Sequence, residues 1–110
     1  MKPFTSQVIH IIQQIPPGKV MSYGQIAKVA GSPRAARQVV RILHSMSAKY
    51  DLPWHRVINA KGQVAMREEN AFEQQKFLLE EEGVEVTAGG VIDLDEYQFH
   101  IENCIPDEEG

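Results

Sequence analysis

The sequence predicts a mainly α fold with a small β wing, a winged helix-turn-helix, and three observations carry that expectation. Two helical segments meet across Gly31-Ser32-Pro33, a turn too tight to separate them. Ser22-Tyr23-Gly24-Gln25 has the spacing of a capping box at the start of the first. A Lys61-Gly62 turn flanked by apolar residues follows the second.

The elements follow in order. Phe4, Val8, Ile11, Ile12 and Ile15 recur at helical spacing, which predicts a helix over 4–14 that stops before Pro16-Pro17-Gly18. Lys19-Val20-Met21 reads as a short extended link. The helix capped by Ser22 is expected to run to about Ala30 and to close on Gly31 in the left-handed conformation. Ser32-Pro33 is then expected to restart a helix at once, with serine as cap and proline at the first position, over 33–46. That helix should bury Val39, Leu43 and Met46. Two short strands within 56–66 around Lys61-Gly62 would form the wing. A further helix is expected from Asn70, carrying Phe77, Leu78 and Leu79 and ending at Gly83. A strand at Val84-Glu85-Val86, a turn at Gly89-Gly90, a brief helix near Leu94–Phe99 and a frayed acidic tail over 101–110 complete the chain.

A length of 110 residues fits one domain. No apolar run approaches the roughly 18 residues that a membrane span needs. The first residues lack a small-residue cleavage site after an apolar stretch, so no secretory signal is expected. Cys104 is the single cysteine, which excludes an intrachain disulfide and a cysteine metal cluster and suits a reducing cytoplasm. The net charge of −4 conceals a strong division. Nine of the eleven basic residues lie between Lys19 and Arg67, where Asp51 is the one acid; from Glu68 onward fourteen acids face only Lys76. One basic face able to neutralise phosphates would account for this, and so would ordinary solvated surface.

Readout of the major groove favours Asn, Gln and Arg on the leading turns, whereas Ser32-Pro33-Arg34-Ala35-Ala36-Arg37-Gln38 opens with small Ala35 and Ala36 beside Arg34 and Arg37. Small Ala35 and Ala36 would let the helix approach the minor groove, with an arginine as a wedge for a displaced base. Equally, the alanines are good helix formers and the arginines are easily solvated.

Pro53-Trp54-His55-Arg56-Val57 resembles the Pro-Cys-His-Arg-Val active-site motif of O6-alkylguanine-DNA alkyltransferases, with tryptophan in place of cysteine. Three more segments agree in order: Ile15-Pro16-Pro17-Gly18-Lys19-Val20 leading to Ser22-Tyr23-Gly24-Gln25-Ile26-Ala27, then Gly31 to Val39, then Leu79-Glu80-Glu81-Glu82-Gly83. The resemblance spans roughly 4–86 and points to the alkyltransferase-like proteins, relatives of that family's C-terminal domain without its N-terminal domain.

The resemblance implies a fold and a role. It implies binding of double-stranded DNA that contains O6-alkylguanine, with the lesion flipped into a pocket of Tyr23, Pro53, Trp54, His55, Arg67 and Glu82. Ser22, Tyr23, Arg34, Ala35, Ala36, Arg37, Arg41 and Arg56 would contact DNA; Arg37 would be the finger replacing the extruded nucleotide, and Tyr23 would help rotate the 3′ phosphate. Arg67 would stack on the alkylated base. His55 and Glu82 match the enzymes' proton relay but would here hold the pocket in shape, and Met46 or its neighbours fall where the enzymes carry an asparagine.

Suicidal dealkylation needs a thiolate, and an indole has no comparable nucleophile. The expectation is therefore a non-enzyme with no cofactor and no metal, a monomer that hands lesions to nucleotide excision repair proteins. Two other readings stay open: an alkyltransferase with another acceptor such as Cys104, whose acidic surroundings disfavour the thiolate, and a winged-helix transcription regulator.

Overall fold

A computed structural model describes residues 2–64 and 69–101. Arg67, Cys104, the far end of the expected wing and nearly all of the acidic tail lie outside the described residues. The first helix, α1, spans Pro3–Gln13, with Pro3 in its first turn, where no backbone N–H is needed. Val8, Ile9, Ile11 and Ile12 form its buried stripe. The prolines at 16 and 17 prevent its continuation.

A two-residue strand, β1 (Met21–Ser22), leads directly into α2 (Tyr23–Val29). The Ser22 hydroxyl accepts from the Gln25 N–H at 3.0 Å, and the Gln25 side chain returns to the Ser22 N–H, so the capping box is present. Gly31, at φ +95°, closes α2. Its N–H donates to the Lys28 carbonyl, and the Ser32 N–H donates to the Ala27 carbonyl, the paired bonds of a Schellman motif.

That motif corrects one expectation. Ser32 does not cap α3, because its backbone is already committed to ending α2. The Ala35 N–H bonds back to the Ser32 carbonyl at 2.9 Å, so Ser32-Pro33-Arg34-Ala35 is a turn with proline at its second position, a site its fixed φ favours. α3 begins three residues later than expected and runs longer, Ala36–Tyr50. Asp51 ends it in the left-handed region (φ 52°, ψ 48°).

A 3-10 turn, Trp54–Arg56, precedes β2 (Val57–Ile58). β2 pairs in parallel with β1, Met21 opposite Val57 and Ser22 opposite Ile58. The wing therefore differs from a simple hairpin. Its turn is there: the Asn59 side-chain oxygen accepts from the N–H groups of Lys61 and Gln63, both at 2.9 Å. The returning arm, however, bonds to a later segment, with Val64 N–H to the Gly90 carbonyl and Ile92 N–H to the Gly62 carbonyl. Gly62 has φ +78°, and a Cβ there would meet the Ile92 carbonyl oxygen at 2.8 Å, so glycine is required twice over.

α4 spans Glu69–Glu81 and α5 spans Leu94–Tyr97. One other expectation needs correcting. Val84-Glu85-Val86 is not a strand, although Val84 and Val86 are buried. Phe77 is 59% exposed and lies outside the core, whereas Leu79 is fully buried.

Apolar side chains gather in two clusters. One joins α1, α2 and α3, with Ile12, Ile26 and Val39 fully buried and Met46 and Trp54 packed against it. The other gathers Val20, Ile58, Leu79, Val84 and Ile92. β2 contributes Val57 to the first and Ile58 to the second, which ties the helix-turn-helix to α4.

Candidate nucleic-acid interface and its cavity

Because α3 starts late, Arg34 projects from the turn while Arg37 and Arg41 sit one helical turn apart; all three are exposed. Ala35 and Ala36 are half-buried between them. Ser32, Pro33, Arg34, Ala35, Arg37 and Gln38 bound an open hollow of about 600 Å³. Thus three of the residues expected to contact DNA, Arg34, Ala35 and Arg37, border one hollow. Ser22 does not join them: it is 6% exposed and its hydroxyl caps α2.

Arg56 also departs from the expectation. Its Nε and one terminal nitrogen bond to Glu82, the shortest contact being 2.6 Å, and the other terminal nitrogen donates to the Ile15 carbonyl at 2.9 Å. With a side chain 15% exposed, it is an internal clamp rather than a phosphate contact. His55 Nε2 lies 2.8 Å from the same carboxylate, and the Gly18 N–H donates to it at 3.0 Å. An ionised carboxylate only accepts, so Nε2 carries the shared proton. Burial pushes the Glu82 carboxyl upward, but the Arg56 hydrogen bonds, then those from His55 and Gly18, outweigh burial and hold it at about 2, below the usual 4.5. Glu82 is thereby a knot joining the end of α4, the 3-10 turn and the Pro17-Gly18 loop.

Trp54 is held by its backbone. Pro53 sits at φ −76°, ψ 69°, and the Trp54 N–H donates to the Leu52 carbonyl at 2.8 Å, which makes an inverse γ-turn. The indole meets the His55 ring edge-on, with centroids 6.2 Å apart at 85°. From the opposite side comes Gln75 of α4, 1% exposed, whose amide nitrogen donates to the carbonyls of both His55 and Val57 at 3.0 Å. Sequence reasoning missed Gln75. Its one signal was a polar residue at i−4 from Leu79 on an otherwise apolar stripe.

Trp54 borders two hollows. The larger, about 680 Å³, faces α1 and is lined by Gln13, Asp51, Pro53, His55 and Arg56 among others. The smaller, about 260 Å³, lies between α3 and α4 and is lined by Tyr23, Leu43, His44, Ser47, Trp54, Ala71 and Gln74. The smaller one is the better candidate for a single planar ligand. It joins Tyr23, at the start of the helix-turn-helix, to the aromatic wall, whereas the larger opens beside the far end of α3, away from Arg34 and Arg37. The expected pocket is thus divided: Tyr23 and Trp54 line the smaller hollow, Pro53 and His55 the larger, and Glu82 stands behind both as support. Burial raises the Tyr23 hydroxyl from its usual 10.0, so it remains a donor.

An arginine-bearing helix-turn-helix beside a small aromatic-walled cavity defines the class as a DNA-binding domain. The family model for the DNA-binding domain of 6-O-methylguanine DNA methyltransferase matches residues 3–84. The chain belongs to this family, in its alkyltransferase-like branch. It is 43% identical over 97 residues to a DNA base-flipping protein of Escherichia coli K12, covering 88% of this chain and 74% of the relative. It is 45% identical over 87 residues to alkyltransferase-like protein 1 of Schizosaccharomyces pombe, covering 78% and 81%. A crystal structure of the S. pombe protein in complex with damaged DNA containing O6-carboxymethylguanine superposes with a TM-score of 0.78 at 42% identity, over 92% of this chain and 98% of that one.

Proposed function

We propose that this protein binds double-stranded DNA containing O6-alkylguanine, turns the damaged nucleotide into the cavity beside Trp54, and leaves it unrepaired as a mark for nucleotide excision repair. The observation that carries the reading is Trp54 itself. It occupies the Pro-x-His-Arg position where the related enzymes place their thiol, and it walls a cavity shared with Tyr23. An indole offers one N–H donor and a π face, which favour stacking on a base over attack on an alkyl carbon. Glu82, held ionised by Arg56, His55 and Gly18, anchors the turn that carries Trp54.

Energetics make recognition without reaction reasonable. Flipping costs a few kcal/mol, less for a damaged pair. O6-alkylation removes the N1 proton and spoils pairing with cytosine, so the lesion leaves the stack more readily than guanine. Stacking on Trp54 would return about 1–3 kcal/mol. Arg37, exposed at the start of α3, would fill the gap in the duplex.

The test pairs a binding titration with intact-protein mass. Binding should be tighter to an O6-methylguanine duplex than to its unmodified match, with the protein mass unchanged after incubation. A stable gain equal to the alkyl group would establish alkyl transfer instead.

A further inference from the structure

The cavity beside Trp54 contains a polar group whose chemistry suits one form of the guanine edge. Gln74 lines it from α4, next in sequence to Gln75, whose two bonds to the His55 and Val57 carbonyls fix this part of the helix against the Trp54 turn. Gln74 is exposed, and its side chain makes no hydrogen bond among the described residues.

The other described side chains of the wall offer less. Leu43 and Ala71 are apolar, and Trp54 has a single N–H donor. The Ser47 hydroxyl is spent as a donor on the Leu43 carbonyl. Tyr23 presents one oxygen, and the nitrogens of His44 diverge across the ring. Gln74 alone among them carries a donor and an acceptor side by side in one plane.

On its N1/N2 edge, O6-alkylguanine matches that pairing and guanine does not. Alkylation at O6 leaves N1 as a bare acceptor beside the donating 2-amino group. An amide can meet both at once, its NH2 donating to N1 and its oxygen accepting from the amine. Guanine itself presents N1–H and N2–H, two donors in a row, so the amide NH2 would face a hydrogen. Resting on the proposed function above, we infer that Gln74 is a specificity-determining residue that reads the N1/N2 edge of the flipped base and thereby senses the lost N1 proton. Recognition would then register the consequence common to every O6 adduct, whatever its size.

The experiment measures affinities of wild type, Gln74→Leu and Gln74→Glu for matched duplexes carrying O6-methylguanine, O6-methylhypoxanthine (the same base without its 2-amino group) or guanine, with thermal melting to confirm folding. Wild type should prefer O6-methylguanine over O6-methylhypoxanthine by about tenfold, the scale of one hydrogen bond lost with its partner left unpaired. Gln74→Leu should bind the two methylated duplexes alike. Gln74→Glu supplies two acceptors, which match guanine's two donors, so its ratio of O6-methylguanine to guanine binding should fall below that of Gln74→Leu. Gln74→Leu retaining the wild-type preference, or Gln74→Glu showing no lower ratio, would overturn the inference while leaving lesion binding intact. Wild type failing to distinguish O6-methylguanine from guanine would instead remove the proposed function, and this inference with it.

Discussion

Replacing Glu82 with glutamine should weaken the fold and flatten its response to acid. The carboxylate is held at about 2 instead of 4.5. At about 1.36 kcal/mol per unit, a depression of that size sets a ceiling of about 3.4 kcal/mol on its pH-linked stabilisation. Glu82 and Arg56 each remain 15% exposed, so solvent screens part of this, and about 2 kcal/mol is the expected value. The sign follows from the direction of the shift. A carboxyl depressed by folding stabilises the native state fully above its unfolded value and loses that contribution as pH falls from about 4.5 towards 2. Urea unfolding of wild type and Glu82→Gln at several pH values between 7 and 3 measures it. The gap between the two proteins should be widest at neutral pH and close through the acid range. A gap below about 0.5 kcal/mol at pH 7, or one independent of pH, would refute the knot as a source of stability.

Three further outcomes follow from the same geometry. Arg37→Ala should cost at least about tenfold in affinity for an O6-methylguanine duplex while leaving the melting temperature unchanged, since the side chain is exposed; unchanged affinity would rule out the finger role. Gly62→Ala should destabilise by about 2 kcal/mol or more in denaturant titrations, because it combines a φ of +78° with a carbonyl oxygen at 2.8 Å from the new Cβ. Gln75→Met leaves the His55 and Val57 carbonyls without their buried donor and should cost about 2 kcal/mol by urea unfolding; a neutral effect would show that water replaces the amide readily.

The elements that sequence reading located well are those fixed by local chemistry. The Ser22 capping box, the apolar stripe of α1 and the Gly31 stop each depend on residues within one or two helical turns. The wing turn belongs to the same class, because Asn59 builds it from its own neighbours. Where two local rules competed for one residue, the reading failed. Ser32-Pro33 suits a helix start, but the closing of α2 had prior claim on the Ser32 backbone.

The site was legible in part for a similar reason. The motif around Trp54 and the exposed arginines of α3 are contiguous in sequence, and the fold presents them much as their order suggests. Arg56 is different. Within the motif it looks like one more cation for phosphate, and only the approach of Glu82, 26 residues later, turns it inward. Gln75 is opaque for the same cause: its partners are backbone carbonyls 18 and 20 residues away, and carbonyls leave no trace in a sequence.

Trp54 is the chain's one tryptophan. Its near-ultraviolet emission therefore originates at the cavity wall and nowhere else, free of the background that spoils such measurements in most proteins. A nucleobase sliding against that ring would quench the light, so the unlabelled molecule carries its own optical gauge of occupancy, and stopped-flow mixing could time each arrival.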